Sequence, residues 1–182
     1  TVGDLDGDGL DDLAIGAFGF RGPGPLSGRL YVLQAPWEEG DLADADGVLS
    51  GNEGYDLFGW SVDGGSDLDG DGLSDLVVGA PGTNGAALST GAAHVFVGPA
   101  EGALGPGDAW ASVVGAEADT RLGWSVSALS GSPSRVAAGG PGYRTNGGGV
   151  WVTEAEPGQI LVGAPVLESD SGAGAGGTLA AG

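Results

Sequence analysis

Asp4, Asp6, Asp8 and Asp12 stand at positions 1, 3, 5 and 9 of one short stretch, Asp4-Leu5-Asp6-Gly7-Asp8-Gly9-Leu10-Asp11-Asp12. The spacing returns at Asp67, Asp69, Asp71 and Asp75, within Asp67-Leu68-Asp69-Gly70-Asp71-Gly72-Leu73-Ser74-Asp75. Four carboxylates this close repel one another, and a cation that neutralises them is the simplest reason to keep them. Hard carboxylate oxygens on a Gly-containing loop suit Ca²⁺, which takes six to eight oxygens at about 2.3–2.6 Å. Mg²⁺ demands a stricter octahedron and retains water, so it fits less well. Gly9 and Gly72 supply the sharp turn that aims the acids inward. Leu10 and Leu73, at position 7, are expected to offer a backbone carbonyl and to turn their side chains to the core. Asp11 has Ser74 as its counterpart and is read as solvated.

An EF-hand begins in the same way but needs Glu at position 12. Here position 12 is Ile15 or Val78, inside an apolar run. The loop therefore leads into a strand, not a helix. The competing reading is an acidic, solvated turn with no metal. Two copies in one register weigh against it.

The loops belong to a longer repeat. Leu13-Ala14-Ile15-Gly16-Ala17-Phe18 returns as Leu76-Val77-Val78-Gly79-Ala80-Pro81, and more weakly as Arg135-Val136-Ala137-Ala138-Gly139-Gly140-Pro141. Phe58-Gly59-Trp60-Ser61-Val62 returns as Leu122-Gly123-Trp124-Ser125-Val126. Arg29 to Leu33 matches Ala93 to Val97 and Gly149 to Val152. Gly47 to Gly51 matches Ala111 to Gly115, and Gln159 to Gly163 is the candidate third copy. Each period of about 60 residues thus holds four short apolar runs bounded by Gly, Pro and Asn, which is a strand signature. Four strands per period match a propeller blade, a small sheet that buries its faces only by stacking on its neighbours. In the third period Leu129-Ser130-Gly131-Ser132-Pro133-Ser134 replaces the acidic loop, so that blade is expected to be free of metal.

Composition narrows the classes. The 182 residues include 41 Gly and 10 Pro, which argues against a helical bundle. Five Lys plus Arg against 25 Asp plus Glu leave no basic surface for nucleic acid. There is no Cys for disulfides or thiolate metal sites. No apolar run is long enough to span a membrane. The segment 171–182 is nearly all Gly and Ala and reads as a tail or the start of a further blade.

Phe58-Gly59, the Asp67 to Asp75 loop and Gly79-Ala80-Pro81 together resemble the FG-GAP repeat of the integrin α-chain propeller, which also occurs in bacterial secreted proteins. The resemblance covers about residues 1–165. It implies an all-β fold, here a partial β-propeller of about three four-stranded antiparallel blades. The boundaries follow the repeats: 1–57 as blade 1 without its first strand, 58–121 as blade 2, and 122–170 as a degenerate blade 3. It implies calcium in the loop between the first and second strands, two sites in all. Asp4, Asp6, Asp8 and Asp12 would ligate one ion, and Asp67, Asp69, Asp71 and Asp75 the other. It implies an extracellular or cell-surface module for adhesion or recognition of a protein or glycan, not itself an enzyme. The alternative is an accessory or carbohydrate-binding propeller of a secreted hydrolase or lyase. About 2.9 blades cannot close a ring, so further blades are expected from the rest of the protein or from another chain. The chain is most simply read as a fragment of a bacterial relative.

Other residues read more plainly. His94 sits in a strand, and no motif pairs it with Ser61 or Ser125 as a catalytic triad. Trp60, Trp124 and Trp151 are expected in packing positions. Trp37 is expected to act as a hydrophobic plug, with sugar stacking as the alternative.

Overall fold

The computed structural model describes residues 1–37, 40–143, 147–162 and 165–168. The first repeat supplies β1 (Leu13–Gly16), β2 (Arg29–Leu33) and β3 (Gly47–Ser50). The second supplies β4 (Ser61–Ser66), β5 (Asp75–Ala80), β6 (Ala92–Phe96), β7 (Gly102–Leu104) and β8 (Ala111–Gly115). The third supplies β9 (Ser125–Leu129), β10 (Arg135–Gly140), β11 (Gly149–Glu154), β12 (Gly158–Val162) and β13 (Leu167–Glu168). Single turns of 3-10 helix at Leu42–Asp44 and Pro106–Asp108 punctuate the connections. The fold is all-β and consists of three sheets, each carrying the up-and-down pattern of a propeller blade. They do not close into a ring.

Sheet membership differs from the repeat boundaries at two strands. The first sheet runs β1-β2-β3-β7, the second β12-β8-β6-β5-β4, and the third β13-β11-β10-β9. β7 leaves the second repeat to pair parallel with β3, Gly47 opposite Gly102. β12 leaves the third repeat to pair parallel with β8, Ile160 opposite Val113. Each covers the outer edge of the preceding sheet, where unpaired backbone groups would otherwise face water. So the blades are not uniformly four-stranded and antiparallel: the middle sheet has five strands, and two outer pairings are parallel. Gly158–Val162 is also not the fourth strand of the third blade. That place falls to β13, which pairs with β11.

Two apolar layers join the three sheets. Leu30, Val32 and Leu49 of the first sheet pack with Leu76, Val78 and Phe96 of the second and with Phe58, just before β4. Val77, Val95 and Val113 on the other face of the second sheet pack with Val136 and Trp151 of the third and with Leu122, just before β9. Burying each such side chain contributes about 1.5–3 kcal/mol. The middle sheet is therefore covered twice, and all six residues of β5 are buried. That is why Leu76-Val77-Val78 reads as an unbroken apolar run, whereas an alternating strand has only one covered face.

The innermost strands sit close because glycine permits it. A Cβ on Gly79 would strike the carbonyl oxygen of Gly123 in the next repeat, and one on Gly16 would strike that of Gly59. Beside these contacts an aromatic row crosses the repeats. Phe18 and Trp60 have centroids 4.7 Å apart, and Trp60 and Trp124 4.5 Å. Trp151 is buried as expected. Trp37 is not a plug. It is 52% exposed, and its indole N–H donates to Leu33 O at 3.2 Å, which lays the ring along the surface.

Candidate metal centres

The two acidic loops have the same internal hydrogen bonds. In the first, Asp4 accepts from Gly7 N at 2.7 Å and Gly9 N at 2.9 Å, Asp6 accepts from Asp8 N at 3.0 Å, and Asp8 accepts from Leu10 N at 2.7 Å. In the second, Asp67 accepts from Gly70 N at 2.6 Å and Gly72 N at 3.0 Å. Asp69 accepts from Asp71 N at 3.0 Å, and Asp71 from Leu73 N at 2.8 Å. Short Asp side chains capture backbone N–H groups two to five residues ahead, and this winds each loop into a compact coil. Gly9 and Gly72 sit at φ of 88° and 95°, where other residues are strained.

The winding brings three carboxylates together in each loop. Asp4, Asp6 and Asp8 each offer an oxygen within 4.8 Å of the others, and Asp67, Asp69 and Asp71 do the same. Oxygens bound to one Ca²⁺ at about 2.4 Å lie at most about 4.8 Å apart, so both sets fit the size and hardness of that ion. The charges are felt locally. The Asp8 N–H lowers the Asp6 pKa, but slight desolvation and the charges of Asp8, Asp12 and Asp4 together raise it above the ordinary carboxylate value.

Asp12 and Asp75 occupy different surroundings. Both are buried. Asp12 accepts from Leu5 N at 2.7 Å with one oxygen and from Ala35 N at 2.9 Å with the other. Asp75 repeats this with Leu68 N at 2.6 Å and Gly98 N at 3.0 Å. Each ninth-position carboxylate ties the start of its loop to the segment that follows β2 or β6. Burial pushes the Asp75 carboxyl up to about 6, against the lowering effect of the Leu68 and Gly98 N–H groups and with the Asp69 charge adding to the rise. Neither residue joins the three-oxygen clusters.

Position 7 departs from expectation. The Leu10 side chain is 48% exposed rather than turned to the core. Leu73 is half-buried and lies against the first loop, 3.1 Å from where a Gly7 Cβ would stand. The difference is one of neighbours: Leu73 has a preceding loop to pack on and Leu10 does not. Asp11 is exposed, as expected.

The loops are also coupled from sheet to sheet. Ser74 N donates to Asp4 O at 2.8 Å, and Ser134 Oγ donates to Asp67 O at 3.2 Å. A further carboxylate escaped sequence reading. Asp63 in β4 accepts from Ser127 Oγ and Ala128 N, each at 2.9 Å, and so pins the second sheet to the third. It belongs to no motif, and its partners lie in the next repeat, so no local signal marks it.

Comparison with known proteins follows the same residues. The family model described as FG-GAP repeat matches residues 1–33 and 58–96. Phosphatidylinositol-glycan-specific phospholipase D of Bos taurus is 38% identical over 112 residues, covering 57% of this chain and 13% of that protein. Integrin alpha-PS5 of Drosophila melanogaster is 40% identical over 84 residues, covering 44% of this chain and 8% of its own length. Integrin alpha-5 of Xenopus laevis is 37% identical over 97 residues, covering 46% and 8%. The chain thus spans a small part of each of these relatives.

Proposed function

From the premise that this chain carries FG-GAP repeats, we propose that it is a calcium-binding propeller module for extracellular recognition or adhesion, the metal being structural. One observation supports this above the rest: two loops in different repeats wind into the same three-carboxylate cluster, each within the span of one calcium ion. Asp4, Asp6 and Asp8 would hold the first ion, and Asp67, Asp69 and Asp71 the second. The carbonyls of Leu10 and Leu73 are the further oxygen donors at position 7, while Asp12 and Asp75, called as ligands from the sequence, would support each site by anchoring its loop. Bound calcium would cancel the repulsion within each cluster and stiffen the connection into β1 and β5. Since Ser74 and Ser134 link one loop to the next, stiffening one loop steadies its neighbour.

An extracellular setting suits the chemistry. Extracellular calcium modules bind at about 10⁻⁴–10⁻³ M, an affinity that would suit a secreted setting rather than cytosol. The module is read as non-catalytic, with binding carried by a protein or glycan ligand and further blades supplied by the rest of a longer chain or by another. Among the described residues no helix is long and apolar enough to cross a membrane. The similarity to a phospholipase D favours a second reading, an accessory propeller attached to a secreted hydrolase. The full reading frame distinguishes the two by the presence of a catalytic domain.

Calorimetric titration of chelator-stripped protein with CaCl₂ and with MgCl₂ tests the metal assignment. Two calcium ions per chain, with magnesium weaker, is the expected result. No calcium uptake, together with an unfolding curve that EDTA leaves unchanged, would overturn it.

A further inference from the structure

The two acidic loops touch each other. The end of the second loop, Leu73 and Ser74, lies against the start of the first, residues 3–7. Ser74 N donates to Asp4 O at 2.8 Å. The half-buried Leu73 side chain reaches to 3.1 Å from where a Gly7 Cβ would stand. Gly3 has a φ of 79°, and a Cβ there would strike Ser74 Oγ. Gly98, whose N–H donates to Asp75 at 3.0 Å, closes the wedge. A Cβ on it would strike Leu5 O and stand 3.2 Å from Leu73 Cβ.

Each side of this contact is one hydrogen bond from a clustered carboxylate. Leu73 N donates to Asp71 at 2.8 Å, and Gly7 N donates to Asp4 at 2.7 Å. Asp4 is thus held twice, its carboxylate by its own loop and its carbonyl by the next repeat. The junction with the third repeat is thinner. Ser134 reaches Asp67 O only through its hydroxyl, at 3.2 Å, and the segment that carries it has no carboxylate.

A shared segment of this kind couples two sites through order. Backbone fixed on binding the first ligand need not be fixed again for the second, so the second binds more tightly. The hydrogen bonds inside each loop are solvent-exposed, the mark of a segment with ordering left to gain. Charge acts the other way, because a first dication leaves the chain less negative for a second. Both clusters reach solvent, and at physiological ionic strength the Debye length is about 8 Å. Screening therefore weakens the opposing charge effect and leaves the packing contact untouched.

We propose that the two calcium sites are positively coupled, with Leu73 and Ser74 of the second repeat serving as positioning residues for the ion of the first. The inference rests on the calcium assignment above and adds regulation to it. The two loops then order over a narrower range of calcium than two independent loops would. By linkage the effect is reciprocal, so each site raises the affinity of the other by the same factor.

The test follows the whole chain by amide NMR and calorimetry as CaCl₂ is added, at physiological and at raised ionic strength. The Gly7 and Gly9 amides donate to Asp4, and those of Gly70 and Gly72 to Asp67, so each pair reports on its own cluster. In the parent both pairs are expected to shift together, along a curve steeper than a single-site isotherm. The coupling factor should be about fivefold or more and should survive the added salt. Asp69→Asn combined with Asp71→Asn should weaken calcium binding at Gly7 and Gly9 by that factor. Leu73→Ala keeps the backbone N–H and carbonyl and removes the wedge, so each pair should then follow a single-site isotherm. Leu73→Ile should restore the steep curve. A merely structural loss would move both midpoints and leave the steepness. Two ions bound on single-site isotherms in the parent would overturn the coupling and leave the calcium assignment standing. A steep curve that Leu73→Ala leaves unchanged would overturn the role of the wedge. No calcium uptake at either pair would sink both proposals.

Discussion

The hairpin β4–β5 and the hairpin β9–β10 occupy the same place in successive repeats, yet only one carries an acidic loop. β4 and β5 pair antiparallel, with Val62 opposite Val78 and a register shift between Asp63 and Ser66. β9 and β10 pair antiparallel without a break, with Val126 opposite Ala138. The first is joined by residues 67–74, with three clustered carboxylates, and the second by residues 130–134, with none. Both loops reach back to the same sort of anchor, Ser74 to Asp4 O and Ser134 to Asp67 O. The blade therefore closes without the acids. The acids organise their own loops through backbone hydrogen bonds, and the proposed calcium ions would offset the repulsion that remains.

The comparison can be broken at its strongest point first. Asp75→Ala removes the acceptor for two N–H groups in a buried setting, a role with no equivalent in the third repeat. It should destabilise the chain by about 2–4 kcal/mol even in EDTA, as read by urea unfolding. A loss below that of the cluster variants described next would show that the anchor is dispensable. Saturating calcium should stabilise the parent by about 2.7 kcal/mol per site at a hundredfold excess over Kd. Changing Asp67, Asp69 and Asp71 together to Asn keeps the turn-forming acceptors and removes the charge. This variant should bind one calcium instead of two and forfeit at least half of that gain. In EDTA it should be as stable as the parent, or more so.

The reverse exchange sharpens the argument. Replacing residues 130–134 with the sequence from Asp67 to Ser74 should raise calorimetric stoichiometry from two to three. A folded graft that still binds two would show that the winding of the loop depends on its own sheet. A further test concerns pH. The folded-state pKa of Asp75 is raised to about 6, above the ordinary 3.8, so the folded chain holds this proton more tightly. In EDTA its contribution is present below about pH 4 and is lost as pH rises through about 6. Asp75→Asn should flatten that part of the stability profile measured by urea titration at each pH. An unchanged slope would place the proton elsewhere.

Much of this was legible in the chain. The repeat length, the strands β5, β6 and β10, the missing loop of the third repeat and the packing of Trp60 against Trp124 all follow from local pattern. So does the gathering of Asp4, Asp6 and Asp8, because Asp side chains bond to backbone only a few residues ahead. The strands β7 and β12 were not legible as edge strands. Each is defined by a partner in the preceding repeat, which no local periodicity encodes. The same holds for Asp63, for the exposed faces of Leu10 and Trp37, and for the burial of His94.

The sequence by itself determined the repeat, the strand-forming runs and the two acidic coils, since these depend on side-chain type and short-range backbone geometry. Only the tertiary structure decided that the ninth-position acids are buried anchors, that sheets exchange edge strands, and that the lone histidine is buried against Phe58 with Nδ1 bonded to Ser112. Those features arise where one sheet meets another, and burial, desolvation and pairing across that junction belong to no single stretch of chain.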